Sequence, residues 1–116
     1  MSLTLYGIPN CDTVKKARTW LDANGIGYVF HDYKKAGISA DKLEHWCEVL
    51  GWEAVLNRSG TTFRKLPDAA KANLDSTKAI RLMIEQPSVI RRPIVAHPDG
   101  LLVGFNTAQW EQTLGR

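Results

Sequence analysis

The 116-residue sequence holds only two cysteines, Cys11 and Cys47, and no Cys-x-x-Cys pair. One disulfide is too few for a small secreted scaffold, so both are expected as free thiols in a reducing compartment. No run of about 18 apolar residues occurs, which excludes a membrane-spanning helix. Basic residues outnumber acidic ones by 15 to 12, a formal net charge of +3, and lie scattered among the acids. Without a basic run, nucleic acid is not expected as a partner. No glycine-rich phosphate loop is present either, since Gly7-Ile8-Pro9-Asn10 has the spacing of neither nucleotide fingerprint. His31, His45 and His97 are far apart and show no ligand pattern, so no metal site is expected. Met1-Ser2 leads straight into strand-like Leu3-Thr4-Leu5-Tyr6, which leaves no room for a signal peptide. A cytoplasmic protein is expected.

What is present reads as one globular domain of 44% hydrophobic and 23% charged residues. Leu3 to Tyr6 alternates as a strand, Gly7 to Asn10 supplies a turn, and a helix is expected from about Cys11 to Asn24. Val14, Ala17, Trp20 and Leu21 fall at helical spacing, and Gly25 stops the helix. Gly27 to Tyr33 is aromatic and β-branched, a second strand. Strand, helix and strand so close together form a βαβ unit with parallel strands.

A helical insert is expected over about 38–90. Ser39 opens a helix with Leu43, Trp46, Cys47 and Leu50 on one stripe, ending at Gly51. Arg58 to Pro67 is looser, broken by Gly60. Asp75 or Ser76 caps a further helix with Ile80, Met83 and Ile84 as its stripe, closed by Pro87. Pro93–His97 and Leu101–Phe105 then read as strands of a hairpin turning at Pro98-Asp99-Gly100. Thr107 is expected to cap a last helix. Trp20, Trp46 and Trp110 have apolar neighbours at helical spacing and belong to the core. The fold class is α/β, a thioredoxin/glutaredoxin-like βαβ–ββα arrangement with a helical insert and a mixed four-stranded sheet.

Cys11 opens the first helix of that arrangement. A helix N-terminus carries about half a positive charge and unpaired N–H groups, and both favour thiolate over thiol. Lys15, Lys16 and Arg18 are near in sequence and act in the same sense, while Asp12 opposes them. A free thiol titrates near about 8.5, and such sites lower it. Cys11 is therefore read as a nucleophile. Val14 stands where a thioredoxin has its second cysteine, so the site is monothiol. Cys47 lies on an apolar helix stripe and is read as a buried, inert core thiol. With no internal resolving thiol, the second reducing equivalent must come from outside, and glutathione is the usual cytosolic source.

The segments "LYGIPNCDTVKKA" around Cys11, "LNRSGTTFRKL" around Arg58 and "RRPIVAHPDGLLVGF" around Arg92, with Trp110-Glu111, stand in the order of a known family. Together they resemble the arsenate reductases (ArsC family) coupled to glutaredoxin, and most closely their YffB branch, which is related to the Spx redox regulators. The resemblance covers about Leu3 to Leu114. It implies a cysteine that attacks a bound oxyanion, with glutathione and glutaredoxin completing the reduction. The likeness to thioredoxin-like folds implies, besides, a cis proline at Pro93 facing the cysteine. Of the family's three oxyanion arginines, the first matches Arg58 and the second Arg92, with Arg91 as an extra neighbour. The third falls on Gly104, and the histidine that precedes the family's cysteine falls on Gly7. Arginine holds oxyanions through fixed, often bidentate bonds, so losing one of three argues against arsenate reduction.

The leading expectation is a glutathione-dependent thiol reductase acting on a disulfide or small anionic substrate. It has Cys11 as nucleophile and a binding set of Arg58, Arg92, Arg91, Pro93, Asn10, Asp12 and Thr13. No bound cofactor is expected, glutathione serves as co-substrate, and the protein is taken as a monomer. The alternative is a Spx-like regulator that docks on RNA polymerase without catalysis. A third is a fold that has kept the cysteine and lost the chemistry.

Overall fold

The computed structural model describes residues 3–115; Met1-Ser2, where the absence of a leader was read, and Arg116 lie outside the described residues. In chain order the elements are β1 (Thr4–Gly7), α1 (Asp12–Ala23), β2 (Val29–Asp32), α2 (Tyr33–Ala36), α3 (Ala40–Leu50), α4 (Trp52–Val55), α5 (Thr61–Arg64), α6 (Asp68–Lys71) and α7 (Ser76–Glu85). A 3-10 turn at Pro87–Val89 leads into β3 (Ile94–His97), β4 (Gly100–Val103) and α8 (Thr107–Leu114). The chain falls into two compact units. The first comprises the chain up to Asp32 and from Arg92 onward; the second is Tyr33–Arg91.

The first unit is built on one mixed four-stranded sheet in the order β2-β1-β3-β4. β1 runs parallel to β2 and antiparallel to β3, and β3 is antiparallel to β4. The register sets Leu5 between Phe30 and Val95. Leu5, Val14, Ala17, Leu21, Val95 and Trp110 are fully buried in one cluster, so α1 and α8 share a hydrophobic face of the sheet. Val14, Ala17 and Leu21 recur every three or four residues, which keeps them on one side of α1. Trp20 is only half-buried; its ring meets Trp110 edge-on at 5.7 Å, a favoured aromatic geometry. Gly25 ends α1 at φ +66°, a backbone state that costs glycine least.

Several boundaries differ from the sequence expectation. β2 stops at Asp32, because Tyr33 turns into the one-turn α2; its ring is fully buried and its hydroxyl donates to the Ile90 carbonyl at 3.1 Å. β3 starts at Ile94, since Pro93 has no N–H to give the ladder. β4 ends at Val103, where Gly104 at φ +74° turns the chain out of the sheet while its amide bonds the Pro93 carbonyl at 2.8 Å. The hairpin forms where it was expected, but Gly100, read as part of the turn, belongs to β4 and pairs with His97, so that Pro98-Asp99 alone makes the turn.

In the second unit Ser39 caps α3 by accepting from the Lys42 amide, and Leu43, Trp46 and Cys47 are its buried stripe, with Leu50 half-buried. Asp75 caps α7 through the Lys78 amide at 2.8 Å. The face of α7 is a correction: Ala79, Leu82 and Met83 are buried, whereas Ile80 is partly covered and Ile84 is 42% exposed. Both triplets have helical spacing, and only tertiary packing chooses between them. The segments around Leu56 and Ile90 form a short antiparallel bridge, with the Asn57 amide on the Val89 carbonyl and the Arg91 amide on the Val55 carbonyl, each at 2.7 Å.

The last helix is capped by Asn106, not by Thr107: the Asn106 side chain accepts from the Gln109 amide at 3.0 Å, and Thr107 is already helical. Asn106→Ala should therefore lower unfolding free energy by about 1 kcal/mol. Thr107→Ala should change it by no more than a few tenths of that. Urea titration of the two variants checks the assignment.

Candidate functional site

Cys11 occupies the N-cap of α1, with φ −132° and ψ 125°, and its carbonyl accepts the first intrahelical bond from the Lys15 amide at 2.9 Å. The extended backbone at the cap holds the side chain at the mouth of the helix, beside amides that no helical carbonyl can reach. The thiol is partly buried and its pKa is lowered. Partial burial is the largest single influence and acts the other way, disfavouring charge. The Val14 amide, the Arg92 guanidinium and the Thr13 amide, all directed at the sulfur, outweigh it, and the Arg92 charge adds to them. Unlike the oxygen caps at Ser39, Asp75 and Asn106, the large sulfur closes no cap bond of full geometry. The amides act on it as aimed dipoles.

The cations expected from sequence proximity are not those that act. Arg18 lies with its guanidinium 4.3 Å from the centroid of the Phe30 ring, and its Nε donates to the Tyr28 hydroxyl at 3.0 Å. Lys15 and Lys16 are exposed. The cation on Cys11 is Arg92, which the chain delivers from 81 positions away (92 − 11), two residues before β3. Pro93 follows it, buried, with the Arg92–Pro93 peptide bond cis. Asn10, Asp12 and Thr13 flank the thiol and are exposed. The first unit thus gathers Cys11, Thr13, Val14 and Arg92 around one sulfur. The contribution of Val14 was hidden from sequence reading, because it comes from its amide and not from its side chain.

Arg58 and Arg91 belong to the second unit. Arg58 is exposed; its guanidinium lies 5.5 Å from the Trp52 ring centroid and 4.0 Å from the Glu53 carboxylate. Arg91 donates from Nε to the Ala54 carbonyl at 3.0 Å, which ties its side chain to the backbone next to the Leu56–Ile90 bridge. Cys47 is a buried free thiol whose pKa burial pushes up, as suits a core residue. Among the described residues no group of three or more His, Cys, Asp and Glu is arranged to hold a metal ion, and no helix is long and apolar enough to cross a membrane.

A mixed sheet in this strand order, with a cysteine capping the first helix and a cis proline beside its partner arginine, defines a thioredoxin-like thiol protein. The chain belongs to the ArsC family, whose model matches residues 6–113. It is similar to a solved YffB protein, with 54% identity, a TM-score of 0.94 and coverage of 97% of this chain and 98% of the other. It is also similar to an arsenate reductase (ArsC) related protein from Brucella melitensis, at 50% identity and TM-score 0.78, covering 100% and 97%. An uncharacterised protein of Haemophilus influenzae is 38% identical, with 94% of this chain and 96% of the relative covered. The global transcriptional regulator Spx 1 of Lactococcus lactis is 29% identical over 90% of this chain and 82% of the regulator.

The pKa directions have opposite consequences for stability. Because folding depresses the Cys11 pKa, the stabilisation from its thiolate is present above the free-thiol value and is lost as pH falls through the folded value. Cys47 is the reverse: its contribution holds below the free-thiol value and is lost as pH rises through its raised one. In a Cys47→Ala background, alkylation rate against pH should give a Cys11 pKa below that of a free thiol. Arg92→Ala should move it upward with the fold intact. An unmoved pKa would remove Arg92 from the sulfur.

Proposed function

We propose that the protein is a monothiol reductase that uses Cys11 as its nucleophile and glutathione as its co-substrate. The convergence of the Val14 and Thr13 amides and Arg92 on one sulfur supports this reading. Thiolate, not thiol, attacks disulfides, so a depressed pKa raises the reactive fraction at neutral pH. The Cys11 thiolate attacks the glutathionyl sulfur of a mixed disulfide. The new bond joins Cys11 to glutathione, and the old bond breaks to release the partner as its thiolate. A second glutathione, as thiolate, then attacks that sulfur, freeing Cys11 and leaving as glutathione disulfide. The partner's sulfur is reduced to a thiol, one glutathione thiol is oxidised, and Cys11 returns unchanged.

A guanidinium is the group that best matches a carboxylate of glutathione, and Arg92 brings one to the sulfur. The chemistry needs only groups of the first unit. The same thiolate could attack an oxyanion, but Gly104 stands where the resemblance puts an arginine. Its φ of +74° strains any residue with a Cβ, so the departure lies in the backbone as well as the side chain. Arsenate turnover should accordingly be weak or absent. The Spx relatives, named as global transcriptional regulators, favour a second reading in which the chain serves transcription without catalysis. That reading bears on the expectation that nucleic acid is not a partner. Capture of RNA polymerase by a Cys11→Ser variant as well as by wild type would support it.

The test is a coupled assay that follows glutathione disulfide formed from a glutathionylated small thiol, run beside arsenate. Turnover of the mixed disulfide, abolished in Cys11→Ser and retained in Cys47→Ala, is expected. Arsenate as the better substrate, or equal rates in Cys11→Ser, would overturn the reading.

A further inference from the structure

Gly7, the last residue of β1, is a buried glycine whose need is not conformational, since its φ lies outside the left-handed region. The demand on it is spatial. A Cβ at this position would stand 2.9 Å from Cγ2 and 3.3 Å from Cγ1 of Val14. Carbon atoms pack at about 3.5–4.0 Å, so one of the two residues would have to move. Val14 has nowhere to go: it is fully buried, and as a β-branched residue in a helix it is confined to essentially one rotamer. The strain would pass to the Val14 backbone, whose amide faces the Cys11 sulfur.

We infer that Gly7 is a positioning residue for the thiol. By offering Val14 a bare backbone, it lets the first turn of α1 seat against the end of β1 with its amides on the Cys11 sulfur. The two residues act as one fitted pair: valine at position 14 requires glycine at position 7, and together they fix the distance between strand end and helix mouth. With no side chain of its own, Gly7 acts through Val14, the residue a Cβ there would strike. The inference rests on the proposed role of the Cys11 thiolate, but its geometry is independent of which disulfide is reduced.

The test reads the sulfur directly, without turnover. Alkylation of Cys11 against pH is measured in a Cys47→Ala background for wild type, Gly7→Ala, and Gly7→Ala with Val14→Ala. Gly7→Ala should raise the thiol pKa and slow alkylation at neutral pH several-fold. The double variant, which removes the methyl groups that the added Cβ would strike, should recover most of the loss. A purely structural role for Gly7 would lower thermal stability and leave the pH profile in place; that result in a folded Gly7→Ala protein overturns the inference. Where Gly7→Ala does not fold, Val14→Ile crowds the same contact from the helix side and should shift the profile in the same direction; an unshifted profile again overturns it. A wild-type thiol with no depressed pKa would instead overturn the thiolate reading itself, so the two failures are distinguishable.

Discussion

A partly buried sulfur ionises only where fixed dipoles and charge compensate for the water it has lost, and at Cys11 that compensation comes from places far apart in the sequence. The N-terminal turn of α1 contributes the Thr13 and Val14 amides, and the segment leading into β3 contributes Arg92. Burial works against them and is the largest single influence. The charged state therefore depends on the first turn sitting in the right place, because amide dipoles fall off within a turn. The rest of the first unit can be understood as holding that turn. The sheet register fixes the end of β1, the core stripe Val14, Ala17 and Leu21 fixes the rotation of α1, and β3 beside β1 brings Arg92 to the sulfur.

Gly7 and Gly104 stand where the resemblance to the arsenate reductases implied a histidine and an arginine. At Gly7 a side chain would strike Val14, and at Gly104 the backbone sits at positive φ, bonded to the Pro93 carbonyl through its amide and to the Trp110 indole through its carbonyl. Neither is a simple truncation that a single substitution would reverse. The groups on the Cys11 sulfur are two amides and one guanidinium. In the proposed reading that set serves attack on a disulfide, which needs a reactive thiolate, whereas a tetrahedral oxyanion needs several donors at once.

Much of this was legible in the chain, for local reasons. Gly25 at positive φ, Ser39 and Asp75 as caps, and the Pro98-Asp99 turn each carry a short-range signal with one physical meaning. The mixed sheet followed from strand–helix–strand order and one hairpin. Signals that allowed two answers were settled by tertiary contacts: Asn106 outcompeted Thr107 as the cap of α8, and Ala79, Leu82 and Met83 outcompeted Ile80 and Ile84 for burial. At the site, the cysteine and its helix start were visible, while the cation was not. Lys15, Lys16 and Arg18 were nearer in sequence, yet helix geometry leaves the two lysines exposed and takes Arg18 to Phe30 and Tyr28. Arg92 could be named only through the resemblance. The fit of Gly7 to Val14 leaves no trace in periodicity, because it consists of a missing atom.

The central claim is that Cys11 alone carries reversible thiol chemistry with glutathione. Intact-mass measurement of the wild-type protein after brief exposure to glutathione disulfide at neutral pH tests it most directly, with peptide mapping of the adduct. One glutathione per chain is expected, on Cys11 and not on Cys47, and removed completely by excess reduced glutathione. No adduct, or an adduct on Cys47 with Cys11 unmodified, would contradict it.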